Sequence, residues 1–216
     1  MPRYSKKKWK NYYVKNSHNC YSYMLDKINK HYVKICKDNS KKTRKKGKKL
    51  KKKKCGWLKA QPGQAAGLKD VKYYKKYSCN YLNKRVLKDN KEIFMTKKNK
   101  CPKDHYKGML FIQPKRAYHF YRQDDNGNWS HKNGLSAATN KDAKGKIIKD
   151  HKKAARDYRK KNGFYLSRSC GTYCIPRSSK KKFFSAYTRK KRKKGKKKRK
   201  TKKNSKRSNR KRSRKR

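Results

Sequence analysis

The sequence predicts an α+β domain with an antiparallel sheet, and three observations carry that reading. Apolar residues at positions 21, 24, 25, 28, 32 and 35 recur with the spacing of one helix face. The runs 106–113 and 117–123 are rich in aromatic and β-branched residues and flank Pro114-Lys115. Asp125-Asn126-Gly127-Asn128 is a hairpin turn that returns the chain into Trp129-Ser130-His131-Lys132. Helices followed by hairpin-linked strands read as segregated helices on an antiparallel sheet.

In chain order, residues 1–15 are basic with Trp9, Tyr12 and Tyr13 interleaved, and read as an arm. A first helix is expected over 19–37, with Ser17 and Asn19 as N-cap candidates. Residues 38–54 are a Lys-rich, exposed insertion within the domain. Pro62-Gly63 marks a turn, and Lys69 to Asp89 suits a second amphipathic helix. A short strand is expected over 91–96, then the three runs above, with Asn133-Gly134 as a further turn. Residues 150–161 read as a helix ended by Asn162-Gly163, and 163–176 as one or two final strands. The expected layout is an arm over 1–15, a domain over 16–176 and a disordered polycationic tail over 177–216.

The chain has 216 residues, 75 Lys or Arg against 11 Asp or Glu, and a formal charge of +64. Residues 189–216 alone hold 21 Lys or Arg among 28 and no acid. A segment of that kind repels itself and has almost no apolar surface to offset ordering entropy. It calls for a polyanionic partner, DNA first. Binding through phosphate charge is tight and salt-dependent, with a log–log slope of about −0.9 per phosphate contact. The residues expected to carry it are Lys41, Lys42, Arg44, Lys45 and Lys46 in the insertion, and Arg189, Lys190, Lys191, Arg192, Lys193 and Lys194 in the tail. No helix-turn-helix, RNA-binding sheet signature or phosphate-cradling Gly loop is visible, so readout of base sequence is not expected. Tyr12, Tyr13, Tyr73, Tyr74, Tyr118 and Tyr121 sit beside basic residues as stacking surfaces would, but aromatics on strands are more often core.

No run reaches the roughly 18 apolar residues of a spanning helix, and the basic N-terminus is followed by no apolar segment. A transmembrane segment and a secretory signal are therefore not expected. Seven cysteines leave at least one without an intrachain partner. Packed free thiols are the first expectation for the rest. Disulfides Cys170–Cys174 or Cys79–Cys101, and a zinc set of Cys101, His105, Cys170 and Cys174, are the alternatives weighed. No metal or cofactor is assigned.

Cys20 at the start of the first predicted helix, where the helix dipole would depress a thiol pKa, pairs in type with His119 in the middle of a strand. A thiol on a first helix and an imidazole on a later strand is the order of papain-like hydrolases. His131 on the adjacent hairpin strand is the candidate third group, with Asp124 and Asp142 as weaker ones. Together, Asn19-Cys20-Tyr21-Ser22-Tyr23, Gln61-Pro62-Gly63-Gln64, Tyr118-His119-Phe120-Tyr121-Arg122-Gln123-Asp124, Trp129-Ser130-His131-Lys132 and Cys170-Gly171-Thr172-Tyr173 resemble small bacterial and viral proteins akin to papain-like cysteine peptidases and amidases. The resemblance covers roughly residues 16–176 and implies a papain-like fold, Cys20 as nucleophile and His119 as base. The polycationic segments resemble in style the basic proteins packaged by large DNA viruses. The expectation is a sequence-nonspecific nucleic-acid-associated protein, packaged with virion components or in a host nucleus or cytoplasm. The alternative is an active cysteine hydrolase tethered to a polyanion by its tail.

Overall fold

A computed structural model describes residues 1–44, 55–68, 77–98 and 100–177. The tail residues expected to meet a polyanion, Arg189 to Lys194, and Lys45 and Lys46 of the insertion, lie outside the described residues. Lys41, Lys42 and Arg44 lie on the last turn of a helix whose side chains there are likewise outside them.

Six strands form one antiparallel sheet: β1 (Phe94–Thr96), β2 (His105–Gln113), β3 (Ala117–Gln123), β4 (Trp129–Lys132), β5 (Ala138–Thr139) and β6 (Arg168–Pro176). Their order across the sheet is β1-β6-β2-β3-β4-β5. The last strand therefore inserts between the first two, and every pairing is antiparallel. The helices are α1 (Lys6–Lys10), α2 (Tyr12–Ser17), α3 (Cys20–Met24), α4 (Lys30–Arg44), α5 (Cys79–Asp89) and α6 (Arg159–Asn162). This is the α+β class read from the sequence. Among the described residues no helix is long and apolar enough to cross a membrane.

The period-two alternation of β2 and β3 divides the core. Leu110, Ile112 and Phe120 face the helices and pack with Tyr21, Met24 and Leu25 of α3, Tyr32 of α4, and Leu82 and Val86 of α5. Met109, Phe111 and Tyr121 point the other way and pack with Trp129, Ile148, Tyr158 and Leu166. At Gly108 a Cβ would stand 2.6 Å from Ile175 Cδ1 and 2.9 Å from Met24 Cγ. Glycine there lets α3 settle directly on the sheet, which places Cys20 beside β3.

Four local readings are corrected. Residues 1–15 are not a free arm: Trp9 is fully buried against Val14, Tyr23 and Ala138, its ring 4.8 Å edge-on from Tyr23. Burying so large an aromatic outweighs repulsion between the exposed lysines around it. The helix expected over 19–37 breaks into α3 and α4, with Asp26 in the left-handed region (φ 46°). Tertiary donors support the carbonyls at the break: the Tyr106 hydroxyl donates to Met24 O (2.9 Å), and Arg122 Nη1 (3.3 Å) joins Asp26 N (2.9 Å) in donating to Tyr23 O. Asn29 Oδ1 then accepts from the amides of His31 and Tyr32 at the start of α4. The helix expected over 150–161 shrinks to α6, because Asp157 bridges to Tyr165 and Leu166 N donates to Arg156 O, while Gly163 (φ 73°) ends it as read. The second helix is α5, with residues 69–76 outside the described ones.

The thiols, too, depart from expectation. Six of the seven cysteines are paired, as Cys36–Cys55, Cys79–Cys170 and Cys101–Cys174, and Cys20 is free. Cys170 and Cys174 cannot pair with each other: four residues of strand separate them by about 13 Å, far beyond disulfide reach. With all three of its thiols oxidised, the Cys101, His105, Cys170, Cys174 zinc set has no thiolate to offer. Two of the disulfides fasten β6 to α5 and to the segment before β2, closing 91- and 73-residue loops.

Candidate functional site

Asn19 caps α3. Its Oδ1 accepts from Ser22 N at 3.2 Å, and Ser22 Oγ accepts from Asn19 N at 3.0 Å. The Asn19 amide donates to Ala60 O (2.7 Å), tying this turn to the segment after Gly56–Leu58. Cys20 is the first helical residue and is 7% exposed. Its thiol pKa is raised, not lowered as the helix-start position suggested. Burial is the largest cause and outweighs the opposing pull of the Phe120 main chain, Lys132 and Lys59. A five-residue helix also has too short a dipole to offset desolvation.

His119 on β3 and His131 on β4 are cross-strand neighbours, both buried. His119 Nε2 and His131 Nδ1 lie 2.9 Å apart, and His131 Nε2 is 3.0 Å from Lys141 O. A carbonyl oxygen only accepts, so His131 carries its proton on Nε2 and offers Nδ1 as acceptor. His119 then donates through Nε2–H, and its Nδ1 keeps a free lone pair. Burial holds both rings neutral, moving His131 down to about 4 and His119 well below the ordinary histidine value, with His131 and Lys132 adding to the shift at His119.

Cys20 and His119 line one cavity of about 540 Å³, together with Gln61, Tyr118, Lys59 and Asn133. The Tyr118 hydroxyl donates to Gln61 Oε1. That leaves the Gln61 amide NH2 as an uncommitted donor among the described residues of the cavity wall. Lys59 is half-buried there, with no ion-pair or hydrogen-bond partner for its ammonium among the described residues. Of the third-group candidates, His131 is the one bonded to His119. Asp124 instead accepts from Arg122 Nε at 3.1 Å, and Asp142 binds the main-chain amides of Lys144, Lys146 and Ala155.

Sequence reading did not assign Lys132. It is fully buried, and its ammonium donates to Lys15 O (3.0 Å), His18 O (2.8 Å) and Gly134 O (2.8 Å). It thereby ties the end of α2, the residue before Asn19-Cys20 and the loop on the cavity rim to one strand position. Burial brings its pKa down to about 7. One buried lysine among 75 basic residues gives no signal in the sequence. Strand alternation, which puts it on the helix-covered face opposite His131, was the available clue.

No family model matches the chain, and no solved structure matches it. Over 47 residues the chain is 49% identical to insoluble matrix shell protein 1 of Ruditapes philippinarum. That stretch is 22% of this chain and 32% of the shell protein, so the chain spans about a third of that relative's length.

Proposed function

We propose that this chain is a polyanion-associated protein whose α+β domain is papain-like and carries a thiol hydrolase centre, with Cys20 as nucleophile, His119 as base and His131 as the residue orienting that base. The observation that carries the reading is the directed chain His119 Nε2–H to His131 Nδ1 and His131 Nε2–H to Lys141 O. It selects the tautomer of His119 that can take a proton at Nδ1, on a residue that lines the same cavity as Cys20.

Thiol and imidazole both rest uncharged, so proton transfer accompanies attack. The Cys20 S–H proton passes to His119 Nδ1 as sulfur bonds to the carbonyl carbon of an amide or peptide. The Gln61 NH2 is the side-chain donor available to the oxygen that gains charge. Collapse expels the amine, which takes the proton from the His119 imidazolium and leaves a thioester. Water, deprotonated by His119, then cleaves the thioester and restores the thiol.

The test is alkylation of Cys20 by iodoacetamide at neutral pH with all disulfides intact, read by mass spectrometry, beside turnover of a peptide and amide panel. Cys20 in the native chain is expected to react at least about tenfold faster than in His119→Asn. Equal rates in the two proteins would refute the pair. Cys20→Ala should abolish turnover and leave DNA retention unchanged.

The second reading rests on charge. The +64 chain should hold duplex DNA without sequence preference, and deletion of residues 189–216 should lower both affinity and the salt slope. An unchanged slope removes the tail from DNA binding. Packaging with virion components, suggested by the style of the basic segments, would be read from co-purification with particles.

A further inference from the structure

The segment 58–61 is pinned beside the start of α3. Leu58 and Ala60 are buried in the core on either side of Lys59. Lys59 N donates to Gly56 O (3.1 Å), Ala60 O accepts from Asn19 Nδ2 (2.7 Å), and Gln61 N donates to Gln64 Oε1 (2.8 Å). Lys59 is extended (φ −65°, ψ 119°), and extended backbone turns residues two apart to the same side. Lys59 and Gln61 accordingly both line the thiol cavity, next to the residue Asn19 that caps the Cys20 helix.

The cavity is lopsided in charge. Among the described residues no Asp or Glu lines it, and Lys59 is its only cation. That ammonium is half-buried and meets no acceptor among the described residues, so it has lost hydration without gaining a partner. Lys59 and a Cys20 thiolate would lie within Coulombic reach of each other. Burial nevertheless keeps the Cys20 thiol protonated at rest, so the sulfur does not supply the missing negative charge. Lys132, the other lysine near Cys20, already donates to three carbonyls. The half-buried Phe164 and the exposed Leu135 add apolar surface to the same cavity. A ligand that fits this wall is short, partly apolar and anionic.

We propose that Lys59 is a specificity-determining residue that selects amides carrying a carboxylate a few bonds from the scissile carbonyl on its acyl side. This rests on the thiol hydrolase reading above and names its substrate class. The carboxylate pairs with the Lys59 ammonium, which leaves the Gln61 NH2 for the oxygen of the attacked carbonyl.

Two alkylating reagents of nearly equal shape test the selection without requiring turnover. Iodoacetate carries a carboxylate where iodoacetamide carries a neutral amide. Their rates at Cys20 are compared by mass spectrometry in the full-length, disulfide-intact chain, at neutral pH and roughly 0.3 M NaCl, where distant charge is screened. The ratio of iodoacetate to iodoacetamide rates is expected to be about fivefold higher in the folded chain than in the same chain unfolded in urea, which has the same net charge. Lys59→Gln should abolish that excess, Lys59→Arg should retain it, and Lys144→Gln, at an exposed position away from the cavity, should leave it unchanged. A change in thiolate fraction affects both reagents alike and cancels in the ratio. Equal ratios in the folded and unfolded chain overturn the assignment even if no variant folds. So does a Lys59→Gln chain in which both rates fall together, since Lys59 would then serve the thiol and not the ligand.

In turnover, glutaryl 4-nitroanilide should exceed its uncharged primary-amide analogue about fivefold in kcat/KM, and Lys59→Gln should lose that preference while cleaving the amide analogue as before. Equal cleavage of the two anilides by the unaltered chain overturns the assignment. Cleavage of neither counts against the hydrolase, and the alkylation ratio then decides the role of Lys59.

Discussion

The two faces of the sheet treat an arginine in opposite ways. On the helix-covered face, Arg122 is fully enclosed. Its Nη1 donates to Asp26 Oδ1 (2.6 Å) and Tyr23 O, its Nε to Asp124 Oδ1 (3.1 Å) and its Nη2 to Arg3 O (3.1 Å), while Tyr23 stacks beneath it at 4.2 Å. On the other face, Arg156 keeps the stacking ring, and its Nε and Nη2 meet no acceptor among the described residues. Arg122 collects the N-terminal segment, the α3–α4 break and β3 into one polar cluster, so it is part of the architecture. Arg156 contributes to no such cluster. The difference separates a guanidinium that folding has surrounded with acceptors from one that it holds chiefly by stacking.

Substitution should expose that difference in stability. Arg122→Met leaves the fully buried Asp124 without its cation and the partly exposed Asp26 with only Lys8 nearby, and is expected to cost about 3–5 kcal/mol by urea unfolding. Arg156→Met removes an unpaired charge and should stay within about 1 kcal/mol of the parent chain. Losses of equal size would break the comparison. Next in size, opening Cys79–Cys170 by a double Ala substitution should cost about 2–4 kcal/mol, because it frees a 91-residue loop that anchors β6.

A pH series sharpens the picture of the helix-covered face and the histidine pair. His18 accepts from Asn29 N at Nε2 (2.9 Å), and His131 accepts from His119 at Nδ1, so both must be neutral in the folded chain. Their folded pKa values, each lowered to about 4, lie below the unfolded value of about 6.5. The unfolded chain therefore binds protons between pH 6.5 and 4 that the folded chain refuses. Stability should be complete above that window and decline as pH falls through it, by up to about 1.4 kcal/mol per pH unit for each histidine. His131→Gln should remove one histidine's share of the slope; an unchanged slope would mean that His131 is not held neutral. Tyr23→Phe should cost a modest amount, about 1 kcal/mol by urea unfolding, from loss of the 2.6 Å bond between its hydroxyl and Ser130 Oγ.

Much of the sheet was legible because its cues are local. Strands β2 and β3 match the aromatic and β-branched runs almost residue for residue, and Asp125-Asn126-Gly127-Asn128 turns the chain between β3 and β4 as read. The helical cues were weaker. An unbroken apolar spacing over 19–37 could not reveal that Arg122 and Tyr106, about 100 and 80 residues away, would support the carbonyls of Tyr23 and Met24 and allow a break. The lysines around Trp9 give it the local signature of an arm, while the pocket that buries it is built from Val14, Tyr23 and Ala138. Of the candidate site, the residue types and their order along the chain were readable, and His119 and His131 were nominated on adjacent strands. The raised thiol pKa of Cys20 was not, because desolvation depends on what packs around the sulfur, and neither were the roles of Lys132 and Gln61 at the cavity.

By itself the sequence determined the charge imbalance, the alternation that builds the sheet and the presence of at least one unpaired cysteine. These are properties of composition and of neighbours within a few residues, where backbone sterics and side-chain period suffice. Only the tertiary structure decided which cysteine stays free, which nitrogen of His119 holds the proton, and which arginine finds its acceptors. Each of those depends on groups brought within a few ångströms across tens of residues, where solvent is excluded and every polar atom either meets a partner or is left without one.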